Sequence, residues 1–230
     1  MPHRSYFANK NMGRAEREVS SPENDAIPEA ERWNSNIHYH PVLLNLVPAH
    51  AKTGLDVGCG QGVLTRQLRR KVPQVVGIDT DTAMIELAKA ETDPTTTGIN
   101  YVLGDVMGYP FAAASFDAIV CVATLHHLDT QAALQRMAAL LTPGGTLALL
   151  GVARSQFKDL PWDALGTVAA MYYTRRRRLW KHTAPMIWPP RDSFAAVKRI
   201  AEDVLPGVIF RRHVLFRYSL HWSKPEGSPA

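Results

Sequence analysis

Three small groups of residues could do chemistry. In Leu55-Asp56-Val57-Gly58-Cys59-Gly60-Gln61-Gly62 an apolar run carrying an acid passes into a glycine turn. The residues that follow, Val63 to Leu68, are apolar at 63, 64 and 68, which is helical spacing. A strand, a tight turn and a helix start make a nucleotide-binding corner. The dinucleotide fingerprint G-x-G-x-x-G is not met, because the third glycine comes one residue early and Val63 takes the sixth position. A carboxylate at 56 would repel a pyrophosphate, but it suits a cationic ligand such as an amino group beside a sulfonium. Asp79 lies 21 residues after Gly58, where an acid accepts hydrogen bonds from the ribose hydroxyls of any adenosine cofactor. Finally, His126-His127 follows the apolar run Phe116 to Val122, so an imidazole could take a proton from a substrate or position it. Two adjacent side chains are expected to point different ways, so at most one of this pair should reach a reacting atom.

These residues need a frame, and the chain supplies alternating elements. Strands are predicted over 53–57, 74–78, 99–103, 116–122 and 146–150. Helices are predicted over 61–71, 81–92 (capped by Thr80 or Asp81) and 130–141, with Pro143-Gly144-Gly145 as a turn. Such alternation argues for a parallel sheet covered on both faces. Before it, 28–47 reads as one or two helices interrupted or started by Pro41. After it, 192–205 reads as a helix, and 208–210 and 214–220 as strands separated by Arg211-Arg212-His213.

The glycine turn resembles motif I of the class I S-adenosylmethionine (SAM)-dependent methyltransferases, an acid, one residue, then G-x-G-x-G. Four further stretches fit that family in order: Asp79, Gly104-Asp105-Val106, Ser115 to Val120, and Leu140 to Gly145. The resemblance implies a three-layer Rossmann-like α/β fold, with a mostly parallel seven-stranded sheet and an antiparallel last strand. It implies SAM as cofactor, S-adenosylhomocysteine as product, and displacement of the methyl onto a small organic acceptor. It places the cofactor on Asp56, Gly58, Cys59, Gly60, Asp79, Thr80, Gly104, Asp105, Val106, Val122 and Ala123. Asp105 would meet the adenine amino group and the Val106 N–H a ring nitrogen. The loop holding His126 and His127 would lie beneath the methyl donor. The overall pattern is similar to the group that modifies quinones and secondary metabolites, which leaves oxygen, nitrogen and carbon open as the methylated atom.

Composition narrows the class. No apolar run approaches the roughly 18 residues of a membrane span, and the N-terminus lacks the apolar centre of a secretory signal. The expectation is a cytoplasmic protein, monomer or homodimer, with Cys59 and Cys121 as free thiols. No cysteine or histidine cluster has zinc-site spacing. The chain divides into a leader (1–27), a helical lid (28–50), the SAM-binding core (51–151), a basic and aromatic insertion (152–190), a segment completing the sheet (191–222) and a tail. Of the net charge of +5, the core half carries −3 and residues 152–190 carry +5.

Acceptor choice falls to the lid and the insertion. Trp33 to His40 would bring Tyr39 or His38 near the methyl. Trp162, Trp180, Trp188, Tyr172 and Tyr173 could wall a pocket for a planar or aromatic acceptor. Arg175 to Arg178 span more than one helical turn, so they cannot all face one ligand and read as a solvated basic face. The rival readings are an RNA or protein methyltransferase using the basic C-terminal half, a nicotinamide-dependent oxidoreductase, and a SAM-fold binding protein without catalysis. Ala123-Thr124-Leu125-His126 stands where nucleic-acid amino-methyltransferases carry an acid or asparagine followed by Pro-Pro-aromatic, which lowers DNA as a substrate.

Overall fold

Seven strands form one sheet in the order β3-β2-β1-β4-β5-β7-β6. The computed structural model describes residues 26–181 and 189–227; the predicted leader up to residue 25, Trp188 and the last three residues of the tail lie outside them. Strands β1 (Thr53–Val57), β2 (Gln74–Asp79), β3 (Ile99–Leu103), β4 (Phe116–Val122) and β5 (Leu141–Gly151) run parallel. Strand β7 (Arg217–Ser223) pairs antiparallel with both β5 and β6 (Ile209–His213). The helices are α1 (His40–Leu44), α2 (Val63–Arg69), α3 (Thr82–Ala90), α4 (Thr130–Leu140), α5 (Leu160–Arg176) and α6 (Phe194–Val204).

Alternate residues of each strand face opposite sides, so the central strands, covered on both faces, are largely apolar. Leu55, Val57, Ile119, Cys121, Leu147 and Leu149 pack with Leu134, Met137 and Leu140 of α4 and with Val197 and Ala201 of α6. On the other face Val75, Ala118, Val120, Ala148 and Leu150 pack with Leu43 of α1 and Leu64 and Leu68 of α2. Each such fully buried aliphatic chain contributes about 1.5–3 kcal/mol relative to exposure. Strand order reverses between β1 and β4, which opens a crevice at the carboxyl ends of the strands. At the opposite edge Asp117 stitches three strands together. Its carboxylate accepts from the backbone N–H groups of Lys52 and Thr53 and from the hydroxyls of Thr53 and Thr142.

Three local readings of the sequence change. Pro143-Gly144-Gly145 is not a free turn before β5. The strand starts at Leu141, and the register jumps from Phe116↔Leu141 to Ala118↔Thr146, so the segment is a bulge within it. Arg211-Arg212-His213 belongs to β6 rather than to a connection. The connection is Val214-Leu215-Phe216, with Leu215 and Phe216 both at φ +59°. A left-handed conformation costs a non-glycine residue roughly 1–2 kcal/mol. Here tertiary contacts offset it: Leu215 is buried, and the Tyr39 hydroxyl donates to the Val214 carbonyl at 2.7 Å. The stretch 28–47 forms only short pieces, 3-10 turns at Glu29–Glu31 and Ile37–Tyr39 and then α1. Pro41 sits in the first turn of α1, where its missing N–H would lack a partner anyway.

The pieces of the 28–47 segment are fastened across the domain. Arg66 of α2 pairs with Glu29 and with Glu91, and Arg32 pairs with Glu91 at 2.7 Å. Arg217 donates to Asn36 at 2.8 Å and to Ser35 at 3.1 Å.

Candidate functional site

The glycine turn leaves β1 in the crevice. The Gly58 and Cys59 N–H groups donate to the Ile78 carbonyl, at 2.9 and 3.0 Å, which locks the turn to the end of β2. Glycine at 58 is required twice. Its φ is +70°, and a Cβ there would lie 2.0 Å from the Thr124 hydroxyl. Gly60 differs: its φ is +51°, but a Cβ would meet nothing within 4 Å. The Gly60 backbone therefore borders open space at the carboxyl end of the strands, while its N–H donates to Asp79 at 2.8 Å.

Two carboxylates lie under and beside this turn. Asp56 is buried and accepts from the Thr65 hydroxyl at 2.7 Å. Burial pushes its pKa up to about 7; Thr65 opposes the rise and the neighbouring Asp79 adds to it. Asp56 thus grips the first turn of α2 from below instead of facing the crevice. Asp79 is half-buried and uses its second oxygen to accept from the Asp81 N–H at 2.9 Å. Thr80 is exposed, and the cap of α3 is Asp81, which accepts from Ala83. Cys59 is buried, and burial pushes its thiol pKa up, as do the nearby acids. Gly104 follows β3 and donates to the Asp79 carbonyl at 2.9 Å. The exposed Asp105 side chain caps its own loop by accepting from Met107, and Val106 is buried.

The loop after β4 closes the other side. Val122 ends the strand, and Ala123 takes φ +51° while its N–H donates to the Leu150 carbonyl. A non-glycine residue held there is strained, a condition that clusters at ligand sites. The 3-10 turn Leu125–His127 follows. Its histidine rings lie 4.0 Å apart, so the expectation that adjacent side chains diverge does not hold. Their surroundings do diverge. The His126 pKa is lowered to about 4, by burial first and then by His127 and Arg217. Burial also lowers that of His127, but Asp79 works against it. The His126 ring therefore feels the hairpin side and the His127 ring the cofactor side. Among the described residues, the His126 Nδ1 is the one buried side-chain nitrogen or oxygen without a hydrogen-bond partner.

The lid contributes an aromatic wall. Trp33 stacks on Tyr173 at 5.6 Å, His38 lies 4.7 Å from both Tyr39 and Tyr173, and Tyr39 lies 4.8 Å from His213. Burial raises the Tyr39 pKa to about 12, with Arg217 opposing. Its phenol proton is donated to the Val214 carbonyl. His213 bonds Ser219 at 2.8 Å. Arg217 acts on the ionisation of both Tyr39 and His126, so it lies between lid and loop.

Sequence reasoning named Tyr173 as a wall residue but missed Thr124, His213 and Arg217. Thr124 and Arg217 have no motif around them, and Tyr173 and His213 reach the wall only through the packing of α5 and β6.

Comparisons with known proteins agree with this architecture. Residues 55–149 match the methyltransferase domain family. The chain is 36% identical over 194 residues to an uncharacterized methyltransferase of Mycobacterium tuberculosis, covering 84% of this chain and 98% of that protein. The chain belongs to the methyltransferase family. Its fold is that of the class I, SAM-dependent branch. It superposes on the N-methyltransferase NodS of Bradyrhizobium japonicum with a TM-score of 0.59 at 21% identity, covering 83% of this chain and 96% of that one. It also resembles phosphoethanolamine N-methyltransferase 2 of Haemonchus contortus in complex with SAM (TM-score 0.60, 17% identity, 84% of this chain and 53% of that one). A shorter match, 35% over 113 residues, relates 49% of the chain to 48% of a ubiquinone biosynthesis O-methyltransferase of Coxiella burnetii. The protein is a SAM-dependent methyltransferase. The cofactor fits the crevice chemically: the Asp79 carboxylate beside the open Gly60 backbone suits a cationic adenosine ligand.

Proposed function

We propose that this methyltransferase modifies a small planar acceptor that enters between the aromatic wall and His126, and that the proton leaving the acceptor passes to His126 Nδ1. The observation that carries this reading is the buried, unpartnered Nδ1 in the turn that follows β4. Buried polar atoms have partners in folded proteins, and a protic acceptor would provide one. Burial keeps His126 neutral near pH 7, so its free nitrogen is ready to accept.

SAM, when bound, supplies a methyl already activated by its sulfonium. The rest of the work is alignment. The open Gly60 backbone, the Asp79 carboxylate and the Gly104-Asp105-Val106 loop are the groups we assign to the cofactor. Asp56 acts through the turn, by holding Thr65, rather than by touching the ligand. Cys59, Val122 and Ala123 line the same crevice through their backbone, and His127 sits on its Asp79 side. His38 and Tyr173 flank the acceptor, and Tyr39 fixes the hairpin beneath it. The relationship to an O-methyltransferase of ubiquinone biosynthesis supports a phenolic acceptor of that kind.

The test is transfer of labelled methyl from SAM to a panel of catechols, hydroquinones and aromatic amines. His126→Ala should lower turnover by about 10²–10⁴ and leave affinity for S-adenosylhomocysteine nearly unchanged. Full turnover in that variant would remove His126 from the mechanism.

A further inference from the structure

Helix α5 turns an apolar face to solvent. Its seam with the domain is Asp163, Gly166, Ala169, Ala170 and Tyr173, the buried or half-buried residues of the helix. At 3.6 residues per turn, the opposite side carries Leu160, Leu165, Val168, Met171 and Tyr172, each between 45% and 59% exposed. Phe157, just before the helix, is 89% exposed. The rest of the large apolar side chains are mostly buried, so a continuous stripe of this kind marks an interaction surface.

Charge decides what could cover it. Arg154 and Lys158 precede the stripe and Arg175 to Arg178 follow it, all exposed. The Arg176 guanidinium sits 5.2 Å over the Tyr172 ring. The acids between residues 154 and 181 are Asp159 and Asp163, and both face Arg212. A second copy of the chain would lay basic ends against basic ends in either orientation. A single-stranded nucleic acid stacks on aromatic rings and would leave Leu160, Leu165, Val168 and Met171 uncovered. An anionic bilayer suits both features: acyl chains take the aliphatic stripe, and headgroups take the arginines at its ends.

We propose that the outer face of α5 docks this methyltransferase on an anionic lipid bilayer, with Leu165, Val168 and Met171 in the acyl boundary and Arg175 and Arg176 on headgroup phosphates. The attachment is peripheral, since no described helix is long and apolar enough to cross a membrane. It leaves the seam side of the helix, where Tyr173 meets Trp33 and His38, facing the acceptor wall.

Co-sedimentation of the full chain with vesicles tests this. Binding should be strong to phosphatidylcholine vesicles containing phosphatidylglycerol, and much weaker to phosphatidylcholine alone or in high salt. Leu165→Asp with Val168→Asp should reduce binding by about tenfold or more, and Arg175→Ala with Arg176→Ala by roughly fivefold per residue. Unchanged affinity of each variant for S-adenosylhomocysteine, by calorimetry, would show that the fold is intact. Wild-type binding by the Leu165→Asp, Val168→Asp protein would overturn the proposal, as would failure of the native chain to bind either vesicle. Light scattering that shows a dimer dissolved by these same substitutions would assign the face to a second copy instead.

Discussion

Substituting Gly58 by alanine probes the contact that joins the two halves of the crevice. Two terms act on the same Cβ. At φ +70° an alanine loses about 1 kcal/mol relative to glycine. The new Cβ would also fall 2.0, 2.6 and 2.8 Å from the Oγ1, Cγ2 and Cβ of Thr124. Overpacking of that kind costs about 1–3 kcal/mol as neighbours shift. Gly58→Ala should thus lose about 2–4 kcal/mol of stability and, because Thr124 follows Ala123 directly, should weaken cofactor binding by displacing the loop. Thr124→Gly removes all three clashing atoms and leaves the dihedral term. The double variant should recover all but about 1 kcal/mol of the Gly58→Ala loss, measured from the Thr124→Gly protein. Urea unfolding of the four proteins gives the coupling, and calorimetry with S-adenosylhomocysteine follows the site. A Gly58→Ala loss below about 1 kcal/mol, or losses that simply add, would refute the close approach of the two loops.

Three more outcomes are expected. Asp79→Ala should weaken S-adenosylhomocysteine binding by about 1–3 kcal/mol, the scale of charged hydrogen bonds; unchanged affinity in calorimetry would end its assignment. His40 is buried against Gln67 at 2.9 Å, and burial lowers its pKa from 6.5 to about 4 although Gln67 pulls the other way. The unfolded chain therefore binds a proton before the folded one does, so stability is full above about pH 6.5 and falls as pH drops toward 4. Between pH 7.5 and 5, His40→Gln should lose about 2 kcal/mol less than the native chain; parallel urea curves for both proteins would contradict the buried neutral imidazole. Tyr39→Phe should cost about 1–2 kcal/mol by stranding the Val214 carbonyl and should reduce turnover only as far as the hairpin loosens. Lost turnover at unchanged stability would return the phenol to the chemistry.

Local chemistry made the core legible. The apolar runs of β1 and β4 gave their own limits, because central strands buried on both faces are written as near-continuous hydrophobic stretches. Asp56, Gly58 and Asp79 declared an adenosine corner because their spacing is dictated by a turn between neighbouring strands. The edges were harder. Leu141 to Gly145 has the residues of a turn, yet pairing with β4 draws it into the sheet as a bulge. Val214-Leu215-Phe216 has the residues of a strand, yet it turns in left-handed conformations that only burial of Leu215 and the Tyr39 bond make tolerable. No residue preference announces such a place.

By itself the sequence determined the frame of the crevice: strands alternate with helices, glycines fall where the turn after β1 takes positive φ, and an acid sits at the end of β2. These are short-range requirements, met within a few residues of each motif. The tertiary structure alone decided the acceptor side. It gave the Tyr39 hydroxyl proton to a carbonyl distant in sequence. It brought the two histidine rings together yet gave them different neighbours. Those outcomes depend on which distant surfaces pack together, and long-range packing leaves no spacing in the chain to be read.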